Sequence, residues 1–196
     1  MKYIISRYNH DMLPILKYAK DRVIYDRSEE PMEESIKVPN IGTDIYDKFT
    51  YIVDNYDNLP ELMCFTKANI FKYISEEEFK KIKDNKTFTP ILTQNHKTYG
   101  DICYYKDGMY YEKNDYWYLL EHPTKNYTTT DELKKLFNMD EKQYNAFAPG
   151  SNYIVPKKNV LKHPKEFYEK LRSYLEWGVY PGEAQIIERN LYYIWS

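Results

Sequence analysis

Short apolar runs in the first third of this chain end in side chains that can bind or move charge. Arg7 and Asn9 follow KYIIS, Asp26 follows RVIY, and Lys67 and Asn69 follow LMCFT. If each run is a strand of an open α/β sheet, these residues stand at carboxyl ends, where such sheets bind ligands. A guanidinium or ammonium there can hold an anion, and a carboxylate or amide can bond hydroxyls. Each residue also has a plainer use: a lone Asp after a strand is commonly a cap or turn residue, and a strand-end lysine is commonly solvated. Pro39, Asn40 and Gly42 break the chain ahead of a helix. The Gly42 turn and the helix N-terminus behind it can hold a phosphate, unless the glycine serves backbone geometry alone.

Glu183 and Glu188 lie five residues apart near the C-terminus. At that spacing they do not share a helical face, so they should do different jobs. Glu183, opening a helix after Pro181 and Gly182, is the candidate general base; its plainer role is to stabilise the helix N-terminus. Glu188 and Arg189 are expected to make structural bonds. The four histidines, His10, His96, His122 and His163, have no metal-ligand spacing. No nucleophile elbow or Gly-rich phosphate loop occurs, which leaves hydrolase and kinase chemistry without support.

The elements that must position these residues alternate. Lys2–Tyr8 reads as a strand, Asp11 can cap MLPILKYAK, and Arg22–Tyr25 is a second strand. Thr43 or Asp44 can cap a helix whose Ile45, Phe49, Ile52, Val53 and Tyr56 recur at spacings of three and four. Asp57, Asn58 and Pro60 end it before the buried strand Leu62–Phe65. This βαβ alternation predicts an α/β fold with a mostly parallel, Rossmann-like sheet flanked by helices. Ser75 caps EEEFKKIKD. Asp107 and Gly108, between tyrosine-rich runs, predict a β-hairpin insertion that leaves the main sheet. Thr130 can cap DELKKLFN; NYIV is a short strand, and KEFYEKLRSYLEW and EAQIIERNLYYIW are two helices.

A chain of 196 residues suits one domain with a real core. Its net charge of -2 and pI near 6.1 argue against nucleic acid as a partner, because no basic excess exists to neutralise phosphates. The absence of an eighteen-residue apolar run predicts no transmembrane segment, and KYIISRY is too short and polar for a signal peptide. Cys64 and Cys103 read as reduced thiols, so a soluble, cytoplasmic protein is expected. The 23 tyrosines accompany many lysines, asparagines and isoleucines, a set that shares AT-rich codons. A carbohydrate-binding surface would use tyrosine too.

SRYNHDMLPI, PNIGTDIYDKFTYIVDNYDNLPELMCFTKANIF, NYIVPKKNVLKHPKEFYEKL and the terminal ERNLYYIW resemble, in that order, the motifs of a family of small glycosyltransferase-A-like domains of unknown function. The resemblance implies one domain over 1–196, with residues 1–75 as the nucleotide-binding half and 76–196 holding the hairpin and acceptor side. It implies a glycosyltransferase moving a sugar from a nucleotide-sugar donor to a glycan or protein acceptor. Arg7, Asn9, Asp26, Gly42, Lys67 and Asn69 would hold the donor, Asp26 through uracil or ribose, and Glu183 would be catalytic. A divalent cation, manganese or magnesium, would be the cofactor, with Asn69 its possible ligand. The family's FLQG segment reads FTKA here, with Lys67 and Ala68 replacing glutamine and glycine, and Thr43 and Asp44 replace an Arg-Glu pair. Asn69 is a poorer ligand for a hard cation than a carboxylate, and Lys67 can neutralise a diphosphate instead. The alternative is a catalytically inactive module of the same fold that binds a glycan or protein, with the hairpin tyrosines as its surface.

Overall fold

The computed structural model describes residues 1–93 and 98–196; His96 of the four histidines lies outside them. In chain order the elements are β1 (Lys2–Arg7), α1 (Leu13–Leu16), β2 (Arg22–Asp26), β3 (Ile36–Lys37), α2 (Thr43–Asp54), β4 (Leu62–Lys67), α3 (Glu76–Ile82) and β5 (Thr89–Pro90). There follow β6 (Cys103–Lys106), β7 (Met109–Lys113), α4 (Tyr127–Leu136), β8 (Tyr144–Phe147) and β9 (Tyr153–Pro156). The chain closes with α5 (Lys157–Val160), α6 (Lys165–Ser173), α7 (Gly182–Glu188) and α8 (Leu191–Trp195). The six-stranded sheet has the order β3-β2-β1-β4-β9-β5. It is mixed: β3, β2, β1 and β4 run parallel, whereas β9 pairs antiparallel with both β4 and β5. The expected parallel arrangement therefore holds for four of the six strands and fails where β9 and β5 join. The chain fills one side of β1 with β2 and β3, then crosses through α2 to place β4 on the other side. That reversal beside β1 is a topological switch point, where the strand ends leave a crevice.

Helices cover both faces of the sheet, over two apolar layers. One layer joins Phe49 and Ile52 of α2 to Leu171 of α6, Ile187 of α7 and Trp195 of α8; the other packs Ile15 and Phe79 under Ile5 and Cys64. Trp195 stacks on Phe65 with ring centres 5.2 Å apart. The hairpin forms at Asp107-Gly108, both residues having positive φ (51° and 77°), as a two-residue turn of that type requires. With β8 it makes a separate three-stranded sheet, β6-β7-β8. Ser75 and Glu78 form the expected reciprocal cap of α3. Three local expectations are corrected. Helix α2 starts at Thr43, with Gly42 in the cap position and no side-chain cap. Asn126, not Thr130, caps α4, because its side chain reaches the Thr129 N–H at 2.6 Å. The last predicted helix divides into α7 and α8, where Asn190 Nδ2 donates to the Ile186 carbonyl at 2.8 Å and competes with the backbone ladder.

Candidate functional site

Strand register sets the floor of the site. Arg7 pairs with Asp26 across β1 and β2, and Ser6 pairs with Lys67 across β1 and β4, so the strands deliver these residues in one row. Above that row opens a cleft of about 330 Å³, whose lining includes Arg7, His10, Arg27, Asp44, Lys67 and Glu188. Tyr73, Asn69, His122 and Tyr180 stand around it. The volume lies at the lower end of the range for small-molecule sites.

Asp44 is the hub of its charges. Lys48, one turn further along α2 and fully buried, donates to Asp44 Oδ2, as does Ser151 Oγ. Lys67 Nζ lies 3.2 Å from Asp44 Oδ1. Burial alone would raise the Asp44 carboxyl, but the Lys48 and Lys67 charges outweigh it and hold the group well below the usual carboxylate range. Burial alone would lower Lys67; the charges of Asp44 and then Glu188 raise it above the ordinary lysine value. Lys67 is thus a firmly charged ammonium, with a quarter of its side chain (25%) exposed. Burial lowers Lys48, although Asp44 opposes it.

Two guanidiniums complete the cationic side. Arg27 donates to the Ile41 and Thr43 carbonyls and, at 2.6 Å, to Asp47 Oδ1, tying the exit of β2 to the start of α2. Arg7 Nη1 donates to Asp26 Oδ2 at 2.6 Å and to Ser28 Oγ at 2.9 Å, and Nε donates to the His10 carbonyl. Its Nη2 makes no hydrogen bond among the described residues. His10 is lowered by burial and by the neighbouring charges of Lys72, Arg7 and Lys67, which favours a neutral ring.

The residues singled out in the sequence divide between the cleft and its supports. Arg7, Lys67 and Asn69 come together in it. Asp26 does not line it: the side chain is fully buried, and its oxygens accept from Arg7, Ser28 and the Met32 N–H. Burial would raise that carboxyl, but the Ser28, Met32 and Arg7 bonds prevail and lower it. Asn9 is an exposed turn residue at φ 52°, with its N–H on Ser28 Oγ. Gly42 is also outside the cleft. Its N–H donates to Gly178 O at 2.8 Å and the Thr43 N–H donates to Val179 O at 3.2 Å, so the donors expected for a phosphate serve the 178–179 loop. At φ +60° and with a Cβ destined to fall 2.6 Å from that of Leu175, position 42 requires glycine for geometry.

The two glutamates exchange the places expected of them. Glu183 is wholly buried and away from the cleft, with Oε1 accepting the Lys125 N–H at 3.1 Å. Glu188 faces the cleft, half-buried, and the Gly150 N–H holds its Oε1 at 2.9 Å. Sequence reasoning also passed over Asp44, Arg27 and His10. The signals for them were slight: an Asp-Lys pair one turn apart at the start of α2, and an arginine directly after Asp26. The donor set does not suit a hard cation. Asp44 is neutralised by two lysines, the Asn69 amide lies 3.1 Å from His10 Nε2, and among the described residues no group of three His, Cys, Asp or Glu side chains is placed to hold a metal.

Residues 4–196 match the family described as "Protein of unknown function (DUF3431)". The chain belongs to that family. No curated protein and no solved structure matches it. Among the described residues, no helix of this family member is long and apolar enough to cross a membrane.

Proposed function

We propose that this protein is a glycosyltransferase that moves a sugar from a nucleotide diphosphate donor to an acceptor hydroxyl. The observation that carries the reading is the pairing of a charged Lys67 and the Arg7 and Arg27 guanidiniums with the Glu188 carboxylate in one cleft at the switch point. Transfer needs positive charge on a departing diphosphate and a base on the incoming hydroxyl, and the cleft holds both. The acceptor oxygen forms a bond to the anomeric carbon as the bond to the diphosphate oxygen breaks. The electron pair leaves with the diphosphate beside Lys67 and Arg7, and the hydroxyl proton passes to Glu188. Glu188 takes the role that Glu183 is too buried to fill. Lys67 supplies the charge that a divalent cation would otherwise bring.

Calorimetric titration with a panel of nucleoside diphosphates and nucleotide sugars, with and without manganese, tests the reading. Binding of at least one donor without metal, followed by transfer or slow hydrolysis, is the expected result. Donor binding with neither reaction would favour the non-catalytic module, a reading that the close Tyr104–Tyr111 stack (5.2 Å) and the Tyr144 ring beside it on the small sheet also suit.

A further inference from the structure

Glu188 borders a second cleft, of about 300 Å³, between the small sheet and α7. Its walls carry aromatic rings, among them Tyr110 and Phe147 from the sheet and Trp117 from the single turn Trp117–Leu120. Trp117 is 41% exposed, so part of a large aromatic residue meets solvent. Among these rings sits a buried ion pair. Arg189 Nε lies 2.7 Å from Glu112 Oε1, with side-chain exposures of 6% and 9%, and the Arg189 guanidinium packs 3.7 Å from the centre of the Tyr118 ring. Arg189 Nη1 donates to Gln185, whereas Nη2 and Glu112 Oε2 make no hydrogen bond among the described residues.

We propose that this second cleft is the acceptor subsite and that it takes one pyranose ring of a glycan. The assignment rests on the transferase reading above. A sugar ring matches both halves of the lining: its C–H face lies against an indole, and its hydroxyls can accept from Arg189 Nη2 and donate to Glu112 Oε2. A flat hydrocarbon ring would satisfy the aromatic walls and leave the charged pair unanswered. Continuity decides the role. Glu188 lines both clefts, so a hydroxyl projecting from a ring in the second meets the carboxylate at the border of the first. Glu188 Oε2 has no hydrogen-bond partner among the described residues and can receive that proton.

Saturation-transfer NMR with the methyl β-hexopyranosides of glucose, galactose, mannose and N-acetylglucosamine tests the subsite, with calorimetry of UDP, GDP and ADP run in parallel on the same protein. At least one glycoside should receive saturation on its ring protons. The signal should fall about fivefold or more in Trp117→Ala and persist in Trp117→Phe, which keeps a stacking face. Nucleoside diphosphate affinity should be equal in all three proteins, which also confirms that the variants are folded. If a nucleoside diphosphate binds but no glycoside receives saturation, or if Trp117→Ala leaves the signal unchanged, the acceptor subsite is overturned and the donor cleft stands. If a glycoside binds at Trp117 but no nucleoside diphosphate binds, the transferase reading falls, and the acceptor role falls with it.

Discussion

Lys67 and Lys48 share the carboxylate of Asp44, Lys67 at 3.2 Å from Oδ1 and Lys48 on Oδ2. Two ammonium groups against one carboxylate leave a net positive charge at the head of α2. Lys48 is sealed in, so the surplus is presented to the cleft through Lys67.

Replacing Lys67 by alanine should therefore weaken binding of a nucleoside diphosphate on the order of tenfold or more, the worth of a charged hydrogen bond. Wild-type binding should survive chelator and decline with added salt, since the contact is electrostatic and part-exposed. Calorimetry in EDTA at two salt concentrations measures both. Binding that disappears in EDTA and returns with manganese would transfer the role to a metal.

Glu188→Gln should reduce turnover on the order of a hundredfold or more with little change in donor affinity, because general-base catalysis contributes about that much. Glu183→Ala should leave turnover per folded molecule nearly unchanged and lower stability instead, since it removes a buried side chain and the acceptor of the Lys125 N–H. Steady-state kinetics beside urea unfolding distinguishes the two. The reverse pattern would restore Glu183 as the base.

For Asp26→Ala the expected cost is in folding. Removing a fully buried carboxylate strips Arg7 of its 2.6 Å partner and leaves the Ser28 and Met32 N–H groups without their acceptor, a loss of about 3 kcal/mol. Urea denaturation reads this directly. A stable variant that fails to bind nucleotide would return Asp26 to the donor site.

Acid should act through Asp44. Its folded carboxyl titrates below its value in the unfolded chain, about 3.9, so the unfolded state takes up the proton first as pH falls. The stability it contributes is complete above that value and is lost as pH falls towards the folded one. Asp44→Asn should be less stable than wild type at pH 7, and the gap should narrow steadily below about pH 4. Unfolding curves from pH 7 downwards measure the gap; a constant difference would show that Asp44 titrates alike in both states.

The local order of this chain was written in its sequence wherever neighbours decide it. The apolar runs of β1, β2 and β4, the amphipathic α2, the Ser75 cap and the Asp107-Gly108 turn each depend on residues a few positions apart, and each formed where it was read, although α2 starts at Thr43 without the expected side-chain cap and ends before Tyr56. Arg7 and Lys67 were legible for the same reason, since a residue at the end of a parallel strand has its position set by the strand. What the tertiary structure decided depends on distant partners. Ser151 reaches Asp44 across 107 positions, and β9 enters antiparallel beside β4, neither of which any local pattern encodes. The choice between Glu183 and Glu188 is of the same kind. Five residues along a helix turn the side chain by roughly 140°, so one glutamate must face away from the other. Which of them met the cleft was set only when Ile186 and Ile187 were drawn into the core and fixed the rotation of α7.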